Sequence, residues 1–154
     1  MKNINIKQLL FYVLITLAIG SVPALFVNTS EVYKTLEKPP LSPPGIVFPI
    51  VWTILFILMG ISIYRIVRTN NFGVSSLKKL YFIQLIVNAL WTPIFFGLNL
   101  YGFAFIWLIL LLILVVIMTI KFHYIDKISA YLNIPYIIWL VFAGYLNFSI
   151  FLLN

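Results

Sequence analysis

The chain is poor in the residues from which most active sites are built. Its 154 residues include no cysteine, one histidine and only three acids. The lack of cysteine excludes disulfides and thiolate metal sites. The lone His123, beside Lys121 and Asp126, is typical of a membrane interface rather than of a metal ligand or a catalytic base. A Ser-His-Asp arrangement and a phosphate-binding glycine loop are also missing, so we expect no metal site and no bound cofactor.

Charge is scarce as well. Charged residues make up 8% of the chain and hydrophobic residues 64%, so a water-soluble globule would lack the polar surface to cover itself. We therefore predict an integral membrane protein whose solvent is the lipid bilayer. No ionisable residue falls in the middle of a long apolar run. Ion pumps and proton-coupled transporters need such residues, so both functions are disfavoured.

Four uncharged runs indicate the membrane spans, because a helix needs roughly 20 apolar residues to cross a bilayer. The runs are Gln8–Ser30, Pro39–Tyr64, Leu80–Ile120 and Ile128–Asn154. The third run is long enough for two helices and contains a turn-type segment, Gly97–Gly102. The sequence thus predicts an all-α membrane protein, with residues 1–154 forming one bundle of five transmembrane helices. Their predicted bounds are Gln8–Val27, Ile46–Val67, Lys79–Leu98, Tyr101–Phe122 and Ser129–Leu152.

The basic residues predict how the bundle is oriented. Five spans put the two termini on opposite sides of the membrane, and the side of the N-terminus carries most of the positive charge. Its basic residues are Lys2, Lys7, Arg65, Arg68, Lys78, Lys79, Lys121 and Lys127. The other side has only Lys34 and Lys38, offset by Glu31 and Glu37. By the positive-inside rule the N-terminus is cytoplasmic, and the first loop and the C-terminus face the opposite side. We expect a bacterial cytoplasmic membrane, and the net charge of +7 requires no nucleic acid partner.

Polar and aromatic residues within the predicted spans form stripes at helical spacing. At about 100° per residue, the members of each stripe lie on one face of their helix. The stripes are Gln84, Asn88, Trp91 and Phe95 on the third span, Trp52, Phe56 and Met59 on the second, and Trp139, Ala143 and Leu146 on the fifth. Two interpretations are open. These faces either pack against one another through interhelical hydrogen bonds, or line a cavity for a large planar apolar ligand.

The segment before the second span, Leu36–Trp52, is rich in proline. Its prolines are Pro39, Pro40, Pro43, Pro44 and Pro49. Each proline fixes its own φ and pushes the preceding residue toward extended conformations, so we predict a stiff, polyproline-like ribbon over Lys38–Pro44. The prolines are also suited to starting and orienting the second span, with Pro44 at the helix start and Pro49 in its first turn.

Three motifs, in order along the chain, resemble those of the translocator protein (TspO/MBR) family. They are LEKPPLSPPGIVFPIVWTILFILMG (Leu36–Gly60), NALWTPIFFGLN (Asn88–Asn99) and PYIIWLVFAGYLN (Pro135–Asn147). The resemblance covers nearly the whole chain. It implies a five-helix bundle, usually a homodimer, with a pocket near one membrane face that binds porphyrins, haem-related tetrapyrroles, sterols or synthetic drugs. It also implies that the first loop closes over this pocket, and a proline-stiffened lid loses little entropy on ordering.

The resemblance carries functional expectations onto particular residues. Trp52 and Trp139 match two tryptophans linked in some bacterial members to light-dependent porphyrin breakdown. Asn88 and Trp91 match the N-x-x-W of the third span, and Ala143 matches a small residue of the drug pocket. With the stripes and the lid, the expected ligand-binding residues are Tyr33, Leu41, Pro43, Pro44, Phe48, Trp52, Phe56, Gln84, Asn88, Trp91, Phe95, Trp139, Ala143 and Leu146. The expected ligand is protoporphyrin or a haem-related tetrapyrrole.

The sequence departs from the family pattern in the lid and at the end of the fifth span. Leu41 stands where the family lid commonly has tryptophan, which implies weaker porphyrin binding or a different preferred ligand. No basic residue follows Tyr145, so the sterol motif of animal members is incomplete. Three functions stay open: a receptor or carrier for tetrapyrroles, a light-dependent porphyrin-degrading enzyme that uses Trp52 and Trp139 as electron donors, and a regulatory subunit that acts through a partner protein.

Overall fold

The computed structural model describes residues 3–154, so Lys2 of the predicted basic side lies outside the described residues. The helices are α1 (Ile6–Leu25), α2 (Thr29–Thr35), α3 (Val47–Arg68), α4 (Val74–Thr92), α5 (Tyr101–His123), α6 (Lys127–Leu132) and α7 (Ile134–Leu153). Five segments are long and apolar enough to cross a membrane: Ile6–Leu25, Val47–Arg68, Val74–Gly97, Tyr101–His123 and Lys127–Leu153. The prediction of an all-α bundle with five spans is confirmed.

The helices form a closed ring. Helix α1 packs on α3, and α3 packs on α6, which together with α7 forms the last span. The last span packs on α5, α5 packs on α4, and α4 packs on α1, which closes the ring. The contact of α1 with α3 is close because of Gly60, where a Cβ atom would lie 2.6 Å from the Cα of Val13. The helices α3 and α7 stay farther apart, and aromatic side chains bridge the space between them. This splayed half of the ring contains the candidate site described below.

A π-helical turn, Pro93–Gly97, extends α4 toward the next loop. Proline has no N–H to donate within a helix, so the hydrogen-bond ladder changes register here. The turn ends with the N–H of Leu98 bonded to the carbonyl of Pro93 at 2.9 Å. Asn99 then adopts a φ of 54°, which reverses the chain before α5. The predicted break between the third and fourth spans is therefore confirmed.

The proline-rich segment differs from the prediction. A continuous ribbon over Lys38–Pro44 is wrong, because the chain turns at Pro40 and Leu41, where Leu41 has a φ of 71°. A proline followed by a residue at positive φ is the pattern of a type II turn, a conformation that proline itself favours at the second position. The loop also contains the short helix α2, which was not predicted. The predicted helix start is confirmed, since the carbonyl of Pro44 accepts from the N–H of Val47 at 3.0 Å.

One end of the bundle carries most of the positive charge, and we call it the basic end. Its cations within residues 3–154 are Lys7, Arg65, Arg68, Lys78, Lys79, Lys121 and Lys127. Asp126 lies among them and pairs with Arg65, with Nε 2.7 Å from Oδ2. The Ser129 hydroxyl also donates to Asp126 at 2.6 Å, and the Ser62 hydroxyl donates to the carbonyl of Ser129 at 2.8 Å. These bonds tie α3 to α6.

Candidate functional site

Aromatic side chains from the first loop, α3 and α7 meet at the splayed half of the ring. We call this set the aromatic cluster; its members are Tyr33, Phe48, Trp52, Phe56, Tyr136 and Trp139. The ring centroids of Trp52 and Trp139 lie 6.5 Å apart at 89°, and Phe48 bridges Trp139 to Tyr33 with centroids 5.9 Å and 5.1 Å away. Trp52 also stacks on Phe56 at 5.4 Å. Edge-to-face and offset pairs of this kind contribute about 0.5–1.5 kcal/mol each beyond their buried area.

The same cluster has a polar inner side, centred on the hydroxyl of Tyr136. Asn88 Nδ2 donates to this hydroxyl at 2.6 Å, and the hydroxyl donates to Oε1 of Gln84 at 2.9 Å. All three side chains are buried, and Tyr136 and Gln84 are completely inaccessible. The ring of Tyr136 contacts Trp52 at a centroid distance of 6.1 Å. The network therefore fixes the orientation of the inner aromatic wall and joins α4 to α7.

Two buried N–H donors, one in this network and one in the aromatic cluster, have no hydrogen-bond partner within the described residues. They are Nε2 of Gln84 and Nε1 of Trp139. A buried donor left without an acceptor costs about 1–3 kcal/mol, so such groups are uncommon without a function. Both donors belong to neutral side chains. They are suited to donate hydrogen bonds to a ligand that carries an acceptor, such as a carbonyl oxygen or a ring nitrogen.

A second group of aromatic residues lies at the same end of the bundle, around Trp91. Trp91 stacks on Phe95 with centroids 4.8 Å apart, and its indole N–H donates to Oδ1 of Asn147 at 3.0 Å. Asn147 Nδ2 donates in turn to the carbonyl of Tyr101 at 2.8 Å. The indole N–H of Trp91 thus has a partner inside the protein, unlike that of Trp139.

The first loop is fastened over the aromatic cluster by hydrogen bonds to its backbone. The Tyr33 hydroxyl donates to the carbonyl of Pro43 at 2.6 Å, and burial raises the pKa of this phenol above its ordinary value. The Tyr145 hydroxyl donates to the carbonyl of Pro40 at 2.8 Å. Asn154 accepts from the N–H of Glu37 at 3.2 Å and donates to its carbonyl at 2.9 Å. α7 therefore holds the loop at two separate points.

Lys38 reinforces the fold of the loop from within. Its ammonium donates to the carbonyls of Tyr33 and Leu36, at 2.8 Å and 3.0 Å. It also lies 4.8 Å from the centroid of the Tyr33 ring, within the range of a cation–π contact. The ammonium is thus placed beside the outer members of the aromatic cluster.

The structure brings together most of the residues predicted from the sequence, but not all. In or directly beside the aromatic cluster lie Tyr33, Pro43, Phe48, Trp52, Phe56, Gln84, Asn88 and Trp139. Trp91 and Phe95 form the second group, and Ala143 and Leu146 pack farther along α7 with Leu146 buried. Leu41 is 80% exposed at its turn, and Pro44 is exposed at the start of α3. Neither contributes to the aromatic cluster.

Sequence reasoning missed four residues that shape the site. Tyr136, Asn147, Tyr145 and Lys38 make the hydrogen bonds described above. Tyr136 and Asn147 lie within a motif that was already identified, Pro135–Asn147, and Tyr136 precedes Trp139 by one helical turn. That spacing puts both on one helix face and was the available signal. The bonds of Tyr145 and Lys38 depend on the path of the loop, for which the sequence offered no signal.

Comparison with known proteins extends over the whole bundle. The model of the TspO/MBR family matches residues 12–153. The chain is 37% identical to the tryptophan-rich protein TspO of Archaeoglobus fulgidus over 154 residues, which cover 97% of this chain and 99% of the relative. It is 37% identical to protein CrtK of Rhodobacter capsulatus over 138 residues, covering 88% and 85%. It is 34% identical to the translocator protein of Bos taurus over 119 residues, covering 75% and 70%.

Proposed function

Because this chain belongs to the TspO/MBR family of membrane proteins, we propose that it is a receptor or carrier that binds a porphyrin or a haem-related tetrapyrrole between its helices. One observation carries the proposal: aromatic side chains from the first loop, α3 and α7 converge beside two buried N–H donors that have no partner. Flat aromatic walls with a few polar groups suit a large planar apolar ligand.

The chemistry of the site determines how such a ligand is oriented. The two donors without a partner, on Gln84 and Trp139, are neutral, and no Lys, Arg or His of the described residues belongs to the aromatic cluster. An ionised carboxylate is costly to bury without a cation. The carboxylates of a tetrapyrrole therefore stay at the loop, near Lys38, while the apolar macrocycle packs against Trp52 and Trp139.

A second candidate function is favoured by the contact between two indoles. Trp52 and Trp139 touch edge to face in the site, so an excited porphyrin bound there would have two electron donors at van der Waals distance. The reaction would be light-dependent breakdown of the porphyrin, with dissolved oxygen as the oxidant. A third candidate, regulation through a partner protein, needs no ligand at all.

We also propose the setting in which the protein works. The basic end faces the cytoplasm of a bacterium, and the first loop and the C-terminus face the opposite side of the cytoplasmic membrane. The protein is a homodimer. In support, α1 has only Tyr12 and Thr16 buried, so most of its surface is available for contact with lipid or with a second copy.

The test is a titration of the detergent-purified protein with protoporphyrin in the dark, followed by illumination. Tryptophan fluorescence reports binding, and the porphyrin absorption bands report chemistry. We expect saturable quenching with stable bands for a receptor or carrier. Saturable quenching with bands that decay in light only when Trp52 and Trp139 are present supports the enzyme, and the absence of quenching overturns both proposals in favour of a function without this ligand.

Two single variants locate the site. Trp139→Phe keeps an aromatic ring but removes the unpartnered indole N–H, and we expect it to weaken protoporphyrin binding. Trp107→Phe is the matched control, because Trp107 lies on α5 and its indole N–H already donates to the carbonyl of Val87 at 2.7 Å. An equal effect of the two variants on affinity would remove Trp139 from the site.

A further inference from the structure

A shallow recess lies along the first turns of α4, at the basic end and away from the aromatic cluster. Its volume is about 490 Å³, and its lining consists of Val74, Ser75, Lys78, Lys79 and Phe82. Residues three and four positions apart share one face of a helix, so the hydroxyl, the two ammonium groups and the phenyl ring lie in line along α4. The recess is therefore polar and cationic at its outer end and apolar at its inner end.

Among residues 3–154, no acidic side chain neutralises the charge of the recess. Asp126 is the one acid at the basic end among residues 3–154, and Arg65 and Ser129 occupy its carboxylate. Neither Lys78 nor Lys79 forms a salt bridge with any of residues 3–154. The recess also adjoins the start of a helix, where the backbone dipole favours an anion. An anionic group is the chemistry that complements this end of the recess.

The apolar end of the recess continues onto the surface that faces lipid. Phe82 lines this end, and Ile83, Ile86 and Leu90 follow on the next turns of α4 with 51%, 51% and 44% of their surface exposed. A soluble anion would contact none of these side chains, whereas an acyl chain would cover them.

We infer that this recess binds one anionic phospholipid from the cytoplasmic leaflet. The phosphate lies between the ammonium groups of Lys78 and Lys79 and the hydroxyl of Ser75, and one acyl chain runs along Phe82 and Ile86. The site is independent of the aromatic cluster. It gives the protein a preference for one class of lipid in addition to the general attraction of a basic surface.

The experiment is native mass spectrometry of the detergent-solubilised full chain with dioleoyl phosphatidylglycerol, and with dioleoyl phosphatidylcholine for comparison. We expect one saturable adduct with the anionic lipid and none at the same concentration with the zwitterionic lipid. In the double variant Lys78→Gln/Lys79→Gln the affinity should fall about 25-fold, because each basic residue near an anionic lipid contributes about fivefold. The conservative pair Lys78→Arg/Lys79→Arg should keep the adduct.

The matched control is Lys121→Gln/Lys127→Gln, which removes the same charge from exposed positions at the same end. Its affinity should fall much less, since neither Lys121 nor Lys127 lines the recess. An equal loss in both double variants would overturn the site in favour of diffuse attraction. Competition by soluble glycerol phosphate at matched concentration would identify a free-phosphate site instead. A dimer that disappears in Lys78→Gln/Lys79→Gln would assign the recess to a second copy of the chain.

Discussion

At the scale of single residues, Tyr136 determines the geometry of the candidate site. Its hydroxyl has one proton, which it donates to Gln84, and it accepts a hydrogen bond from Asn88. The shared hydroxyl therefore positions both amides. Because the donor direction is set, the carbonyl oxygen of Gln84 is engaged and its amide nitrogen is left without an acceptor. The hydrogen bond from the Tyr136 hydroxyl thus explains why Gln84 presents a free N–H donor to the site.

The first prediction concerns this hydroxyl. Tyr136→Phe keeps the ring against Trp52 but removes the hydrogen-bond partner of Asn88 Nδ2 and of Gln84 Oε1. Interhelical hydrogen bonds in membrane proteins average about 0.6 kcal/mol each, and unsatisfied buried groups cost more, so we expect the free energy of unfolding to fall by about 1–2 kcal/mol. Thermal unfolding in detergent measures it. Tyr131→Phe, at an exposed position of α6, is the control, and equal melting temperatures for both variants would contradict the prediction.

At the scale of elements, the bundle is tied at the basic end and filled with aromatic side chains at the other. Arg65, Asp126 and Ser129 join α3 to α6 through an ion pair and hydrogen bonds, with 17% and 18% of the Arg65 and Asp126 side chains exposed. Toward the loop, α3 and α7 meet mainly through Trp52 and Trp139. Aromatic contacts at the loop end can rearrange around a ligand without breaking the ion pair and hydrogen bonds at the basic end.

The second prediction concerns the pH dependence of this tie. Burial favours the neutral form of Asp126, but hydrogen bonds from Arg65 and Ser129 and the charge of Arg65 outweigh it, so the pKa lies below its ordinary value of 3.8. A carboxylate with a depressed pKa stabilises the fold fully above its ordinary pKa and loses that contribution as the pH falls through the lowered value. Asp126→Asn should therefore lower the melting temperature at neutral pH.

The difference between the wild type and Asp126→Asn should shrink as the pH falls below the ordinary pKa of 3.8 and through the lowered value, and comparison of melting temperatures across an acid titration measures it. Glu31→Gln is the control, because Glu31 pairs with Lys34 at the surface of α2, where both side chains are mostly exposed. Exposed pairs contribute little. A constant difference across the range would show that the ionisation of Asp126 does not stabilise the fold.

The third prediction concerns the first loop as an element. Tyr145→Phe removes the bond to the carbonyl of Pro40 and leaves the ring in place. A hydrogen bond of this kind contributes about 0.5–1.5 kcal/mol, so hydrogen–deuterium exchange over residues 36–46 should speed up about two- to tenfold. Tyr124→Phe, 83% exposed at the basic end, is the control. Unchanged exchange in Tyr145→Phe would mean that the other bonds alone hold the loop.

At the scale of the whole molecule, the spans and the faces of their stripes could be predicted from the sequence because both depend on local periodicity and on the thickness of the bilayer. Gln84, Asn88 and Phe95 are buried together as their spacing requires. The turn at Leu41 could not be predicted in the same way, since a leucine at positive φ is uncommon and depends on its surroundings. The pairing of Arg65 with Asp126 joins residues far apart in sequence, and no periodic pattern reports such a contact.

The fourth prediction concerns the orientation of the molecule in its membrane, which charge alone predicts so far. The chain has no native cysteine, so single-cysteine variants give an unambiguous label. Ser30 is exposed on α2 in the first loop, and Ser76 is exposed in the first turn of α4 at the basic end. With the basic end in the cytoplasm, a membrane-impermeant maleimide should label Ser30→Cys in intact bacterial cells and Ser76→Cys only after the cells are opened. The reverse pattern would invert the topology and place the aromatic cluster near the cytoplasm. Labelling of both positions in intact cells would show that the bias of basic residues does not select one orientation.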